Sequence, residues 1–153
     1  MDSTMDVASC PICSGTAGQP AGVVAELTTV WVTAPTHAPL PGYACVVAKR
    51  HVVEPYHLVD RERAVFWEEC LLVARTLSDL FQAAKMNYEI HGNTVPHLHM
   101  HLYPRYAGDP YEGGSIDNRA RFTRTAGDID RIHRAVETAA ATLLGGSDSH
   151  RMT

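Results

Sequence analysis

Three histidines alternate with apolar residues in one short segment of this chain. His97, His99 and His101 are separated by Leu98 and Met100. In a β-strand, successive side chains point to opposite faces, so the three imidazoles would share one face while the apolar side chains enter a core. An α-helix would spread the same residues around its circumference. Such a row of imidazoles is hard to explain by packing, and it indicates either a metal site or histidine chemistry on an anionic substrate.

The four cysteines divide into one pair and two single residues. Cys10 and Cys13 form a Cys-x-x-Cys pair, whereas Cys45 lies in an apolar stretch and Cys70 in a helical pattern. The two single cysteines are interpreted as small buried residues. The N-terminal segment has neither the basic region nor the apolar core of a secretion signal, so we expect a cytoplasmic protein without a disulfide framework. For the pair, metal binding and redox chemistry both stay open, although the residues after Cys13 offer no helix to activate a thiol.

The composition is that of an ordinary globular protein. The 153 residues are 45% hydrophobic and 20% charged, which suits one domain with one core. No apolar run is long enough to span a bilayer, so a membrane partner is not expected. The formal net charge is −4, without a block of lysine and arginine. This charge argues against a nucleic-acid-binding surface and leaves small nucleotides as candidate substrates.

Periodicity predicts the elements that must position the histidines. Strands are predicted over residues 23–32 (one or two strands), 42–48 and 87–90, and in the histidine segment. Helices are predicted over Asp60–Lys85, with Asp60 as N-cap, and over Asp128–Leu144. Neighbouring strands can pair directly, which favours an α+β sheet.

Two further segments lack a regular period. Residues 105–125 are polar and rich in glycine, and their length favours a functional loop. Residues 147–153 are predicted to be a disordered tail, which leaves a single domain over residues 1–146.

From Lys49 to Arg105 the chain resembles the histidine triad (HIT) superfamily. The family motif is His-φ-His-φ-His-φ-φ, where φ is apolar, and residues 97–103 match it if Tyr103 is taken as apolar. Residues 92–96, Gly-Asn-Thr-Val-Pro, resemble the family's Gly-Gln-Ser/Thr-Val-x, and residues 46–51 resemble its strand ending in Lys-x-His. The resemblance implies a HIT-like α+β fold, with an antiparallel five-stranded sheet, two helices, and a sheet that extends across a homodimer. Residues 104–105 (Pro-Arg) and 108–109 (Gly-Asp) also resemble the dinucleoside polyphosphate hydrolase branch.

The resemblance also implies an activity. Family members are nucleotide hydrolases or nucleotidyl transferases that act at the α-phosphate of a nucleoside 5′-phosphate ester, anhydride or amidate. His99 would be the nucleophile that forms a nucleotidyl–histidine intermediate. His101 would donate a hydrogen bond to the α-phosphate. Asn93 and Thr94 would add neutral donors, and Arg105 is a further candidate phosphate contact.

Two roles are open for His97. In many relatives the first histidine of the triad supports the nucleophile through hydrogen bonding. In a zinc-containing subset, the resemblance implies a structural site made by Cys10, Cys13, His51 and His97. Such a Cys₂His₂ set is a closed tetrahedral site with no position left for a catalytic water.

Departures from the family pattern limit the substrate prediction. Asn93 stands where glutamine is usual, residues 31–34 lack the acidic residue that holds a ribose, and Tyr43 replaces a common histidine. Two alternative functions also stay open. The three histidines would hold a catalytic metal in a metal-dependent hydrolase, or the chain is a non-enzymatic, zinc-stabilised interaction protein that binds nucleotides.

Overall fold

A five-stranded antiparallel sheet is the centre of the computed structural model, which describes residues 7–15, 18–117 and 119–146. The strands are β1 (Val23–Glu26), β2 (Val30–Thr33), β3 (His37–Ala38), β4 (Ala44–Ala48), β5 (Lys85–Ile90), β6 (His99–Arg105) and β7 (Phe122–Thr123). The helices are α1 (Asp60–Phe81) and α2 (Ala126–Gly146), with short 3₁₀ helices at Val7–Ser9 and Pro55–His57. The order in the sheet is β1-β2-β4-β6-β5, while β3 and β7 form a separate ribbon. The predicted α+β fold, with five antiparallel strands and two helices, is confirmed.

The two faces of the sheet have different surroundings. On β6, Met100 and Leu102 are buried in the main core against the helices, whereas His99 and His101 are only partly buried on the opposite face. The neighbouring strand β4 alternates in the same way. The second face carries a smaller apolar cluster of Ala38, Leu40, Tyr43, Cys45, Val47, Tyr103 and Tyr111. The period of two in the sequence therefore separates core residues from histidines, as strand geometry requires.

A buried carboxylate joins α1 to the turn between β1 and β2. Glu69 is 3% exposed, and it accepts hydrogen bonds from the backbone N–H groups of Thr28 (2.6 Å) and Thr29 (2.9 Å). The Thr29 hydroxyl donates a third bond of 2.6 Å. These donors compensate for the desolvation of the carboxylate, so Glu69 fixes the helix against the sheet rather than acting as an isolated buried charge.

The ends of α1 differ from the prediction. The helix ends at Phe81, not at Lys85, because Gln82 adopts a left-handed conformation with φ of 53° and its N–H bonds back to the Ser78 carbonyl. Lys85 belongs to β5 instead, opposite Arg105. At the start, Asp60 is the first helical residue; the N-cap position is held by Val59, which makes no side-chain cap.

The remaining segments agree in part with the sequence prediction. Of the one or two strands predicted over residues 23–32, the structure has two, and α2 begins at Ala126, two residues before the predicted start. Residues 105–125 contain β7 as well as turns. The predicted tail, 147–153, lies outside the described residues. Neither of the two α-helices in the described part of the chain is both long and apolar enough to cross a membrane.

One glycine next to the sheet is predicted to be sensitive to substitution. A Cβ on Gly42 would lie 2.7 Å from Cδ2 of Phe81 and 3.0 Å from Cγ of Pro104, and the φ of Gly42 is +77°. We expect Gly42→Ala to lower the free energy of unfolding by about 2–4 kcal/mol, from backbone strain and overpacking together. Urea unfolding measures this change.

Gly22→Ala is the matched control. The φ of Gly22 is +73°, but a Cβ there meets nothing within 4 Å. We expect a smaller loss of about 1–2 kcal/mol, from the left-handed backbone alone. Equal losses at Gly42 and Gly22 would contradict the packing explanation.

Candidate active site

A cavity of about 330 Å³ opens on the helix-free face of the sheet. It lies between β6 and the turn that follows β5. Its walls are formed by His91, Gly92, Asn93, Thr94, Val95, His99 and His101. The structure therefore brings together the second and third histidines of the motif and the two predicted phosphate donors.

His97 does not lie on the strand with the other two histidines, contrary to the sequence prediction. β6 begins at His99, opposite Val47 of β4. Just before it, the Leu98 N–H bonds to the Val52 carbonyl, which turns the chain out of the regular ladder. The side chain of His97 is 1% exposed, and it points away from the cavity toward the N-terminal cysteines.

The tautomer of His99 follows from its backbone contact. Nδ1 of His99 lies 2.6 Å from the carbonyl oxygen of His97. A carbonyl oxygen only accepts hydrogen bonds, so a neutral His99 carries its proton on Nδ1. The lone pair is then on Nε2. This nitrogen is the basic and nucleophilic atom of a half-buried ring in the cavity wall.

His101 is held by a tyrosine from the neighbouring strand segment. The Tyr43 hydroxyl lies 2.8 Å from Nδ1 of His101, and the two rings are nearly parallel, at an interplanar angle of 18°. Burial raises the pKa of the Tyr43 phenol far above its usual value. Burial, with the nearby His99 and His91 rings, lowers the pKa of His101 to about 4. Both groups are therefore neutral at pH 7.

A buried arginine lies next to Tyr43. The guanidinium of Arg124 donates a hydrogen bond to the Tyr43 carbonyl oxygen, and it lies 6.0 Å from the centre of the Tyr43 ring. No local sequence pattern predicts this contact, because it joins positions 81 residues apart.

The N-terminal cysteines, His51 and His97 form a compact cluster. One donor atom from each of Cys10, Cys13, His51 and His97 lies within 4.8 Å of every other. Nδ1 of His97 is 3.5 Å from both sulfur atoms, and Nδ1 of His51 is 3.3 Å from Sγ of Cys13. The two Nδ1 atoms are 3.2 Å apart. The four residues predicted as a Cys₂His₂ set are thus brought together.

These distances fit the edges of a zinc tetrahedron. Zn–S and Zn–N bonds of usual length place a sulfur and a nitrogen ligand about 3.6 Å apart and two nitrogen ligands about 3.3 Å apart. Nε2 of His97 lies 2.7 Å from the Ala48 carbonyl oxygen, so this ring carries its proton on Nε2 and presents the Nδ1 lone pair to the cluster. Burial, together with Cys10, raises the pKa of the Cys13 thiol to about 11, the opposite of an activated redox thiol.

Arg105 is not among the residues that wall the cavity. Its guanidinium makes hydrogen bonds of 2.8 and 3.0 Å to the Asp109 carboxylate and a third, of 2.8 Å, to the Tyr111 carbonyl. The pair holds the pKa of Asp109 at about 2. Arg105 therefore organises the loop after β6, and a phosphate contact would require it to leave these partners.

Two residues of β5 and its following turn were not predicted as site residues. Nε2 of His91 lies 2.9 Å from Oε2 of Glu89, and the His91 ring lies 5.9 Å from the His101 ring. Glu89 is directly opposite His101 in the β5–β6 register. The sequence shows that residues 89 and 91 are two apart, but only the strand register places them beside the motif.

The sequence of this chain matches a known family. The family model described as HIT domain matches residues 17–108 of this chain. The chain therefore belongs to the HIT domain family, as the sequence resemblance implied.

Several solved structures share the fold of this chain. A histidine triad protein from Bradyrhizobium japonicum is 23% identical, with a TM-score of 0.69 over 77% of this chain and 89% of that protein. A zinc-bound histidine triad family protein from Mycobacterium smegmatis is 22% identical, with a TM-score of 0.61 over 92% of this chain and 99% of that protein. The diadenosine triphosphate hydrolase of Plasmodium falciparum is 17% identical, with a TM-score of 0.52 over 81% and 77% of the two chains.

The lowered pKa of His101 predicts a pH dependence of stability. Between pH 6.5, its ordinary pKa, and about 4, the unfolded chain binds a proton at this residue and the folded chain does not. The free energy of unfolding therefore falls as the pH falls through this window. Replacing His101 with glutamine removes this contribution.

We expect wild type to lose about 1–2 kcal/mol more than His101→Gln between pH 6.5 and 4, since the half-buried ring is partly screened by solvent. Urea unfolding at several pH values measures both slopes. Titrating groups remote from His101 are common to the two proteins and cancel in the difference. Identical slopes would contradict the lowered pKa.

Proposed function

We propose that this protein is a nucleotide hydrolase or nucleotidyl transferase that forms a covalent nucleotidyl–His99 intermediate. The substrate would be a nucleoside 5′-phosphate ester, anhydride or amidate. The observation that supports this most directly is the hydrogen bond from His99 Nδ1 to the His97 carbonyl, which leaves Nε2 as a lone pair at the cavity. A neutral imidazole in this form attacks phosphorus without first losing a proton.

In the first step, Nε2 of His99 attacks the α-phosphorus and the bond to the leaving group breaks. His101 stabilises the charge that develops on the phosphoryl oxygens. A phosphoryl oxygen only accepts, so the arrangement that serves both partners has the Tyr43 hydroxyl donating to Nδ1 and Nε2–H of His101 donating to the phosphate. Asn93 and Thr94 in the cavity wall supply further neutral donors.

In the second step, an acceptor attacks the same phosphorus and the P–N bond breaks. His99 leaves as a neutral imidazole, because its Nδ1 keeps the proton shared with the His97 carbonyl. With water as acceptor the product is a nucleoside monophosphate; with a second substrate the same intermediate gives nucleotidyl transfer.

The geometry weighs against the metal-dependent alternative. Within the described residues, His99 and His101 belong to no group of three or more donors close enough to share one ion. Non-enzymatic nucleotide binding is distinguished by experiment, since it predicts affinity without turnover.

We propose that the Cys₂His₂ cluster binds a structural zinc ion. The support is the set of donor separations, the His97 tautomer that directs Nδ1 to the cluster, and the fold shared with a zinc-bound histidine triad protein. Bound zinc would neutralise the two thiolates and hold the N-terminal segment against the residue that precedes β6.

We also propose a homodimer in which two sheets join. β5 is the last strand of the sheet, and its outer edge is the natural place for another strand to pair. The Tyr88 side chain on β5 is 46% exposed, which is consistent with an apolar contact that a partner covers.

His99→Asn tests the nucleophile. Asparagine keeps a side-chain N–H that can donate to the His97 carbonyl but offers no nucleophilic nitrogen. We expect turnover of adenosine 5′-phosphoramidate and of a dinucleoside polyphosphate to fall at least about a thousandfold. Substrate labelled at the α-phosphate should leave an acid-labile label on wild type and none on the variant.

His37→Asn, at an exposed position on β3, should keep wild-type turnover in the same assay. Undiminished turnover in His99→Asn would disprove the nucleophile assignment. Nucleotide binding by wild type without turnover of either substrate would favour the non-enzymatic alternative.

Cys13→Ala tests the zinc site. We expect wild type grown with zinc to contain one zinc ion per chain and the variant to lose it, since three remaining ligands bind more weakly. Free zinc at a thousand times its dissociation constant should raise the free energy of unfolding of wild type by about 4 kcal/mol. Metal analysis and chemical unfolding measure both effects.

Cys45→Ala is the control for losing a thiol, because Cys45 is buried in the second apolar cluster rather than among the four ligands. This variant should keep its zinc. Stoichiometric zinc in Cys13→Ala, or none in wild type, would refute the site.

A further inference from the structure

We propose that His91, held by Glu89, is a further catalytic residue that protonates the leaving group and then deprotonates the attacking water. This inference rests on the proposed nucleotidyl transfer at His99. It assigns a fourth histidine, outside the triad motif, to the proton transfers that the triad itself leaves open.

The placement of the pair supports this role. Glu89 is the residue before the last one of β5 and lies opposite His101 in the sheet. The strand ends at Ile90, and His91 is the next residue. His91 walls the same cavity as His99 and His101, and its ring is 5.9 Å from that of His101. It is thus close to the reacting phosphate site without being part of the motif.

His91 also faces a second recess. A neighbouring opening of about 360 Å³ is formed by Val53, Glu54, Ile90, His91, Gly92, Asn93 and Pro96. His91 and the two residues after it are common to both openings. A leaving group that extends from the triad cavity into this recess would pass next to the His91 ring.

The carboxylate prepares the imidazole for proton transfer. A carboxylate accepts, so the 2.9 Å contact fixes the proton of Nε2 on the Glu89 side and leaves Nδ1 of His91 to exchange protons. When Nδ1 is protonated, the resulting cation has a charge partner in Glu89. The arrangement is that of a general acid–base histidine oriented by a carboxylate.

The triad histidines are less suited to these transfers. Nδ1 of His99 is engaged by the His97 carbonyl, and its Nε2 is the attacking atom. His101 is engaged by Tyr43 and has a pKa of about 4, so it is a hydrogen-bond donor rather than a proton source at pH 7. An amine or alkoxide leaving group nevertheless needs a proton to depart.

Two steps would return the site to its starting protonation state. As Nε2 of His99 bonds to the α-phosphorus and the bond to the leaving group breaks, the proton on Nδ1 of His91 moves to the leaving atom. His91 is then neutral. In the second step, water attacks the phosphorus, its proton moves to Nδ1 of His91, and the P–N bond to His99 breaks. The products are the nucleoside monophosphate and the starting protonation state.

His91→Asn separates proton transfer from binding when two substrates are compared. An adenosine 5′-phosphoramidate needs a proton on its leaving nitrogen, whereas the nitrophenyl ester of adenosine 5′-monophosphate releases a stable anion. We expect the variant to lose about a hundredfold in kcat/KM on the amidate and less than about threefold on the ester. With the ester, we expect a burst of one nitrophenolate per active site followed by slowed turnover, because hydrolysis of the intermediate lacks its base.

Two further variants examine the charge partner of His91 and provide a control. Glu89→Gln keeps a hydrogen-bond acceptor but removes the charge, so it should show the same selectivity between substrates with a smaller loss. His37→Asn, at an exposed position away from the cavity, should match wild type on both substrates.

Equal losses on the two substrates, or wild-type rates on both, would overturn the role of His91 while the labelled His99 intermediate still forms. Failure of wild type to form that intermediate with either substrate would instead disprove the proposed function, and this inference with it.

Discussion

Two backbone carbonyls determine what the histidines of this site can do. The Ala48 carbonyl accepts from Nε2 of His97, and the His97 carbonyl accepts from Nδ1 of His99. Because a carbonyl cannot donate, two imidazoles only two positions apart are fixed in opposite tautomers. One ring presents Nδ1 to two sulfur atoms and the other presents Nε2 to the cavity. A repeated residue type thus acquires two different chemistries from main-chain geometry alone.

Two groups near the cavity that could contact a phosphate offer it no free positive charge, which bears on how an anionic substrate would be held. His101 is neutral at pH 7, and Arg105 is engaged by Asp109. Stabilisation of the phosphoryl oxygens would then come from oriented neutral donors, since the charge of a protonated His91 is paired with that of Glu89. Such donors bind a ground-state phosphate modestly and gain strength as charge develops on its oxygens, which is the differential binding that accelerates a reaction. Modest product affinity would also favour release.

The sequence correctly predicted the features that depend on the local period of apolar residues. Its predictions were wrong where contacts between distant residues determine the position of a side chain or the end of a helix. The alternation around Met100 correctly separated core from histidines, since every second side chain of a strand shares a face. The end of α1 was predicted four residues too late. No glycine marks the left-handed conformation of Gln82, and Lys85 pairs with Arg105 in the sheet. The departure of His97 from the strand depends on contacts with Ala48 and Val52, which no short motif encodes. The position of the Glu89–His91 pair beside His101 depends on the register between β5 and β6, which the sequence did not predict.

Residue 97 contributes to the two sites through different parts of its structure. Its imidazole faces the cysteines, whereas its carbonyl oxygen, which every amino acid possesses, holds His99. The two contributions are therefore separable during divergence: a descendant of this chain could lose its cysteines and replace the side chain at position 97 while the main chain continues to orient the neighbouring histidine. The Cys₂His₂ cluster and the proposed nucleophile, His99, would thus both depend on residue 97 without sharing a constraint, so sequence variation at one need not be matched by variation at the other.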